Sequence, residues 1–203
     1  RRGWTTGFTN FRFAIPAYQG GEGRAIYNDE DQIYLTDPGE LFDVRNIANI
    51  VPPATSAACA TGAAVEYAVI HLRVQHIVVC GHTECGGIAA LETELDSGKQ
   101  PHIVSWLELA LPARERVLAS DIAEEDHYLE IIKTNVLIQF ENLRTYPCVA
   151  ERERSGELRI HGWLYDLHTG TIKAYHPESK DWEPIAPHSP PAGCSRQAVG
   201  SNH

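Results

Sequence analysis

Val78-Val79-Cys80-Gly81-His82-Thr83-Glu84-Cys85-Gly86-Gly87 is the stretch that decides the fold. The apolar run 76–80 predicts a buried strand of a parallel sheet, and the pattern over 88–95 predicts a helix. His82 and Cys85 therefore lie on a strand-to-helix turn, at the sheet edge where open α/β folds bind ligands. Imidazole and thiolate are both zinc ligands, and a catalytic zinc usually has three protein ligands. The turn thus supplies part of a metal site, and the third ligand must come from elsewhere in the chain.

The segments around this turn continue the alternation of strands and helices. A short strand is expected at 41–44 and helices at 57–73, 103–110, 113–119 and 123–143, with a turn held by side-chain hydrogen bonds at 45–53. Alternating residues at 158–165 and 172–175 predict a hairpin. The predicted fold class is therefore α/β, a mostly parallel sheet of about 4–5 strands flanked by helices, with a C-terminal hairpin.

The two ends of the chain lack such patterns. Residues 1–36 show neither a clean amphipathic helix nor a strong strand, and residues 184–203 are rich in Pro, Ser and Gly. We expect an unmatched N-terminal segment over 1–36, one α/β domain over 37–183, and a flexible tail over 184–203.

Composition narrows the class of protein. The formal net charge is −10 without a basic run, which argues against nucleic acid and anionic membranes as partners. No stretch approaches the roughly 18 apolar residues of a membrane span, and the first residues lack a signal-peptide core. The chain has no Met, so the natural start is expected to lie upstream or to have been removed. Five cysteines without framework spacing indicate a reducing compartment.

Residues 37–175 resemble the β-class carbonic anhydrases of plants and cyanobacteria. Four blocks, in the same order and with matching spacing, carry the resemblance. They are Pro38-Gly39-Glu40-Leu41-Phe42 running into Arg45-Asn46-Ile47-Ala48-Asn49-Ile50-Val51-Pro52-Pro53; Thr61-Gly62-Ala63-Ala64-Val65-Glu66-Tyr67-Ala68-Val69; Val79-Cys80-Gly81-His82-Thr83-Glu84-Cys85-Gly86-Gly87; and Asn142-Leu143-Arg144-Thr145-Tyr146-Pro147 with His161-Gly162-Trp163-Leu164-Tyr165-Asp166.

The resemblance implies a zinc enzyme that hydrates CO₂ reversibly to bicarbonate and a proton through zinc-bound hydroxide. It implies Zn²⁺ as cofactor, His82 and Cys85 as two of the three protein ligands, and a homodimer or higher homo-oligomer. Phe42 and Ile47 match positions near the substrate pocket, and Gly86 and Gly87 allow close backbone approach there. The expected location is the cytoplasm or another reducing compartment, with a carboxysome or plastid as alternatives.

One family motif is not identifiable. Cys-x-Asp-x-Arg supplies the remaining zinc ligand and an Asp/Arg pair in the family, but counting back from Gly39 without gaps reaches Gly23, Ala25 and Tyr27. The catalytic pair is therefore unknown.

Three explanations for the missing motif are open. The chain is a non-catalytic homologue that serves as a binding or assembly subunit; another residue, such as Cys59, Asp29 or Asp31, completes the site; or residues 1–36 do not represent the natural sequence.

Overall fold

The computed structural model describes residues 25–28, 41–93 and 95–185. Six strands form one sheet in the order β2-β1-β3-β4-β5-β6. The strands are β1 (Ala25–Asn28), β2 (Leu41–Asp43), β3 (His76–His82), β4 (Arg159–Tyr165), β5 (Ile172–His176) and β6 (Asp181–Pro184). The first four strands in space are parallel, and β5 and β6 add antiparallel to β4, so the expected mostly parallel α/β sheet is confirmed.

The helices follow the sequence pattern with shifted ends. They are α1 (Ala60–Glu66), which continues as a π-helical turn over Tyr67–His71, then α2 (Gly86–Ala89), α3 (Pro101–Leu107), α4 (Leu111–Leu118), α5 (His127–Arg144) and α6 (Pro147–Arg154). Pro112 lies in the first turn of α4, where its missing N–H costs nothing, which explains the division between α3 and α4. The sequence analysis did not anticipate α6 or β6.

Two glycines let α5 lie directly on the sheet. A Cβ at Gly81 of β3 would come within 2.8 Å of Val136, and one at Gly162 of β4 within 2.8 Å of Phe140. Helix and strands can approach this closely only where a side chain is absent. The apolar face of α5 and the facing side of the sheet thereby form most of the core.

The opposite side of the central strands holds a second, smaller core. Val78 and Cys80 of β3 pack with Trp163 and Tyr165 of β4, and each is at most 2% exposed. Because the side chains of a strand alternate between faces, His76 and His82 lie on this same side of β3. The histidine at each end of the strand therefore borders this small core rather than α5.

The structure corrects the expectation that the first core strand is absent. β1 lies between β2 and β3 and pairs in parallel with both. It was missed because only four residues, preceded by glycines and followed by acidic residues, form it. Ala25 and Tyr27 lie within this strand, so an ungapped count does not bring the missing motif to the strand's carboxyl end. Asp29 and Asp31 follow the strand but lie outside the described residues.

The C-terminal boundary also shifts. The predicted hairpin is confirmed as β4 and β5, and β6 extends it with Pro184 as its last residue. The Ile185 N–H then donates to the Ile172 carbonyl at 2.9 Å. Pro184 and Ile185, which were expected in the tail, thus pair with or donate to β5, and positions 186–203 lie outside the described part of the chain.

Candidate metal centre

The turn after β3 is fixed by hydrogen bonds to the end of β4. The Thr83 N–H donates to the Tyr165 carbonyl at 2.9 Å, and the Thr83 hydroxyl accepts from the Leu167 N–H at 2.9 Å. Glu84 then adopts a left-handed conformation with φ of 59°, which is uncommon for a residue with a side chain. His82 and Cys85 therefore lie at the two ends of one tight turn, at the carboxyl edge of the parallel strands.

The His82 ring has one defined tautomer. Its Nδ1 lies 2.8 Å from the Thr83 carbonyl oxygen. A carbonyl oxygen can only accept, so Nδ1 carries the proton and Nε2 carries the lone pair of the neutral ring. Metal-binding histidines commonly donate the other ring N–H to such an oxygen, which fixes the ring for coordination. The geometry of His82 therefore fits a zinc ligand that binds through Nε2.

Cys85 is the second candidate ligand and is 1% exposed. It precedes α2, and its carbonyl oxygen accepts a hydrogen bond from the Tyr128 hydroxyl at 2.9 Å. Burial is the main cause that raises the pKa of Tyr128, and the nearby Cys85 and Glu84 raise it further. Tyr128 therefore stays protonated at neutral pH and holds the backbone of Cys85 from the side of α5.

A loop from the first half of the domain forms one wall of this turn. A Cβ at Gly87 would come within 2.8 Å of Ile47 and 3.1 Å of the Cβ of Ala48, whereas one at Gly86 would meet nothing within 4 Å. Ile47 is 41% exposed, and its carbonyl oxygen accepts from Trp106 Nε1 at 2.9 Å. Of the predicted pocket residues, the structure thus brings Ile47 and Gly87 into contact and places Gly86 beside them.

Phe42 lies in a different environment from these three. Its ring centroid is 5.9 Å from that of Tyr67, and it packs against the core cluster under α5 and α1. The Tyr67 ring in turn contacts that of His71 in a tilted arrangement, with centroids 5.3 Å apart. Within this chain Phe42 belongs to an aromatic group along the π-helical turn, and no described contact links it to the His82–Cys85 turn.

Cys59 also lies away from the two ligands. It precedes α1, and its Sγ accepts from the Gly62 N–H at 3.3 Å. It lines a cavity of about 320 Å³ whose wall includes Glu66 and Tyr146 but neither His82 nor Cys85. Across residues 25–28, 41–93 and 95–185, no three side chains of His, Cys, Asp or Glu come together as a metal site. The structure therefore does not bring Cys59 to the turn.

The two donors at the turn, His82 and Cys85, fit zinc chemically. A neutral imidazole and a buried thiol are the two ligand types that tetrahedral zinc sites use most. Among the described residues no third donor of this kind completes a group with them, and the candidates Asp29 and Asp31 lie outside that part of the chain.

Several residues that shape the site were not singled out from the sequence. Tyr128 and Trp106 bond the backbone of Cys85 and Ile47, and a row of amide side chains on α5 bonds the loop that contains Ile47. The helix now seen as α5 was predicted from its apolar positions alone. The recurrence of Asn135, Gln139 and Asn142 at helical spacing is a signal that could have found the amides.

The chain matches a protein family over most of its length. The family model described as carbonic anhydrase matches residues 28–172. A carbonic anhydrase of Pseudomonas aeruginosa is 40% identical over 153 residues, which are 75% of this chain and 70% of that protein. A carbonic anhydrase of Synechocystis is 37% identical over 165 residues, which are 79% of this chain and 59% of that protein.

Solved structures give the same result for the fold. The structure of the β-carbonic anhydrase CcaA superposes with a TM-score of 0.73 at 31% identity, covering 88% of this chain and 92% of that one. The tetrameric β-carbonic anhydrases of Sordaria macrospora give a TM-score of 0.62 at 31% identity, over 79% of this chain and 84% of theirs.

Proposed function

Because the chain belongs to the β-class carbonic anhydrases, we propose that it hydrates CO₂ reversibly to bicarbonate with Zn²⁺ held by His82 and Cys85. The observation that carries the proposal is the His82 ring, whose Nδ1 donates to the Thr83 carbonyl oxygen at 2.8 Å, three residues before the buried Cys85. Relatives named carbonic anhydrase at 36–40% identity support carbonate dehydratase activity, a lyase reaction.

The chain's own residues divide the work of such a site. Zinc, when bound, supplies a Lewis acid that lowers the pKa of a water ligand to about 7. His82 would offer Nε2 and Cys85 its thiolate. The His82 ring donates from Nδ1 to the adjacent Thr83 carbonyl, and the Cys85 carbonyl accepts from the Tyr128 hydroxyl of α5. The partly exposed Ile47 offers an apolar surface to a small uncharged substrate, and Gly87 keeps that surface close to the turn.

The third ligand is proposed to come from the segment that follows β1. The carboxyl end of β1 lies beside that of β3, because the two strands are parallel neighbours. Asn28, the last described residue of β1, pairs with Val79 of β3, three residues before His82. The sequence continues with Asp29 and Asp31, and carboxylate oxygen is an accepted zinc ligand.

We also propose an assembly of two or more copies in a reducing compartment. The Sordaria macrospora relatives are described as tetrameric. Tyr67 and Ile70 along the π-helical turn of this chain are 50% and 52% exposed, which leaves an apolar surface for a second copy. Among the described residues, Cys59, Cys85 and Cys148 are free thiols, which supports a compartment where disulfides do not form. No helix among the described residues has the length and apolarity needed to cross a bilayer.

A non-catalytic role as a binding or assembly subunit is the second candidate. It is favoured by one observation, namely that only two of the expected ligands lie at the turn among the described residues. Such a subunit would keep the fold and the oligomer without hydrating CO₂.

The test is CO₂ hydration by stopped flow on the full chain, purified without chelator and assayed with and without added zinc. The proposal expects hydration well above buffer background, lost on dialysis against a strong chelator and restored by zinc. Background rates from a folded, zinc-supplemented protein would overturn it in favour of the non-catalytic role.

A further inference from the structure

The loop that walls the His82–Cys85 turn has an unusual backbone. Ala48 and Asn49 both adopt left-handed conformations, with φ of 60° and 47°. This conformation is unfavourable for a residue with a side chain, more so for Ala48 than for Asn49. The loop therefore needs partners outside itself to keep this shape.

Those partners lie in one row on α5. Asn135, Gln139 and Asn142 are spaced by four and three residues, and Tyr146 follows four residues later, just past the helix end. Residues at this spacing share one face of a helix. Asn135 and Gln139 are 0% exposed, and Tyr146 is 4% exposed. We call Asn135, Gln139 and Asn142 the amide row.

The amide row bonds the loop backbone step by step. Asn135 Nδ2 donates to the Ala48 carbonyl at 2.8 Å. Gln139 Oε1 accepts from the Val51 N–H at 2.7 Å, and Asn142 Nδ2 donates to the Val51 carbonyl at 2.9 Å. The Tyr146 hydroxyl continues the pattern by donating to the Pro52 carbonyl at 2.8 Å.

The amides also bond one another. Gln139 Nε2 donates to Asn135 Oδ1 at 2.8 Å, and Asn142 Nδ2 lies 3.3 Å from Gln139 Oε1. A buried amide without partners would cost free energy, so this arrangement is stable only while the loop supplies the remaining partners. The loop and the row therefore hold each other in one geometry.

The other side of the loop touches both flanks of the candidate metal turn. Ile47 and Ala48 lie against Gly87, two residues after Cys85. Asn49 Oδ1 lies 3.6 Å from the position of a Cβ at Gly81, directly before His82. A shift of the loop would therefore displace the backbone both before His82, at Gly81, and after Cys85, at Gly87.

We propose that the amide row of α5 consists of positioning residues for CO₂ hydration, which fix the loop 47–51 against Gly81 and Gly87. The kinetic part of this inference rests on the proposed function. The amide row acts through the loop, and no described contact joins it to the side chain of His82 or Cys85. It therefore fixes the position of the wall of the site and does not hold the metal.

The test variant is Gln139→Met, which keeps the approximate volume and removes the acceptor for the Val51 N–H and the donor to Asn135. Asn142→Leu is a milder second variant that removes only the bonds of one end of the row. Leu158→Ala is the matched control, because Leu158 is 1% exposed and precedes β4 at the end of the sheet away from His82. Each full-length variant is measured for hydrogen exchange, zinc content and steady-state hydration.

For Gln139→Met we expect amide exchange in 46–52 and in 81–87 to rise about tenfold or more, with other segments at the wild-type rate. We expect kcat/KM to fall roughly 10- to 100-fold, since small misplacements at a reacting centre have effects of this size. Zinc content stays that of the wild type. Asn142→Leu raises amide exchange in the same two segments by a smaller factor. Leu158→Ala raises exchange across the whole core and leaves kcat/KM per folded chain unchanged.

Two results would overturn the inference. One is a rise in exchange over 46–52 that leaves 81–87 and kcat/KM at wild-type values. The other is a uniform rise in Gln139→Met that matches Leu158→Ala. If the wild type itself shows no hydration, the proposed function fails, and the coupling of exchange between 46–52 and 81–87 alone decides whether the row positions the turn.

Discussion

The two ends of β3 each carry a histidine on the same side of the sheet, but the two rings have different partners. At the carboxyl end, His82 Nδ1 faces a carbonyl oxygen at 2.8 Å. At the amino end, His76 Nδ1 faces Nε2 of His161 at 2.8 Å, and the two rings stack with centroids 5.1 Å apart. A carbonyl oxygen can only accept, so it fixes the proton on Nδ1 of His82, whereas either ring of the imidazole pair can be the donor. The two histidines also differ in place, since His82 is three residues before Cys85 and His76 lies at the other end of the strand.

The largest expected effect is the difference in zinc content and CO₂ hydration between variants of the two histidines. We expect His82→Ala to lose zinc and to reduce CO₂ hydration to background, because water that is not bound to zinc has a much higher pKa and supplies little hydroxide at neutral pH. His76→Ala, at the other end of the same strand, should keep both zinc and hydration. Zinc analysis and stopped-flow hydration on the two folded variants provide the check. Equal losses in both variants would contradict the distinction between the two ends.

The second prediction concerns the glycines after Cys85. Gly87→Ala places a Cβ within 2.8 Å of Ile47, so we expect a loss of about 1–3 kcal/mol in unfolding free energy from overpacking, together with lower hydration. Gly86→Ala is the matched control for stability, since its Cβ would meet nothing within 4 Å. Denaturant unfolding measures both. A Gly87→Ala protein as stable as the wild type would show that the loop does not press on the turn.

The third prediction tests the amino end through pH. Burial, followed by the effects of His76 and Arg159, lowers the pKa of His161 from 6.5 to about 4. The unfolded chain therefore takes up this proton first, and the folded state loses stability as pH falls from about 6.5 to about 4, with no further loss from this group below that. The loss is on the order of 3 kcal/mol. His76 adds to it in the same direction, because burial and Arg159 lower its pKa.

Replacement of His161 by Phe should flatten this acid limb of the stability curve, measured by denaturant unfolding between pH 4 and pH 7. His102→Gln, at an exposed position in α3, is the matched control and should leave the limb in place. An unchanged limb in His161→Phe would assign the acid sensitivity to other groups.

The smallest expected effect lies at the backbone of Cys85. Tyr128→Phe removes the 2.9 Å hydrogen bond to the Cys85 carbonyl and leaves the ring in place. We expect a loss of about 1 kcal/mol in unfolding free energy and weaker zinc binding, because one support of the ligand backbone is gone. Chelator competition measures the zinc affinity. Wild-type affinity and stability in this variant would show that Tyr128 does not support the ligand.

Much of the fold could be predicted because its core elements have strong patterns. Three elements each have a pattern that matches one secondary structure: the apolar run of β3, the alternation in β4 and the periodicity of α5. The turn predicted at 45–53 does contain side-chain hydrogen bonds, such as that from Asn46 Nδ2 to the Ile50 carbonyl at 2.8 Å. β1 was missed because four residues carry too little pattern, and its place between β2 and β3 is set by tertiary pairing alone.

The site was predictable only in part for a related reason. His82 and Cys85 are close in sequence, so local spacing reveals them. Ile47 and Gly87 were placed at the pocket by resemblance, and the structure brings them into contact. Cys59 was proposed from its position in the chain, yet its thiol caps α1 and lines a separate cavity. The supporting bonds from Tyr128, Trp106 and the amide row join residues 43 to 91 positions apart, which sequence spacing does not reveal.

The most direct test of the zinc centre is X-ray absorption at the zinc edge on the full chain, purified without chelator. The account predicts about one zinc per chain, with a sulfur neighbour near 2.3 Å and a nitrogen neighbour near 2.0–2.1 Å. Both neighbours should disappear together in Cys85→Ser and His82→Ala if those variants lose the metal. A folded wild type without zinc, or zinc with no sulfur neighbour, would contradict the assignment of His82 and Cys85.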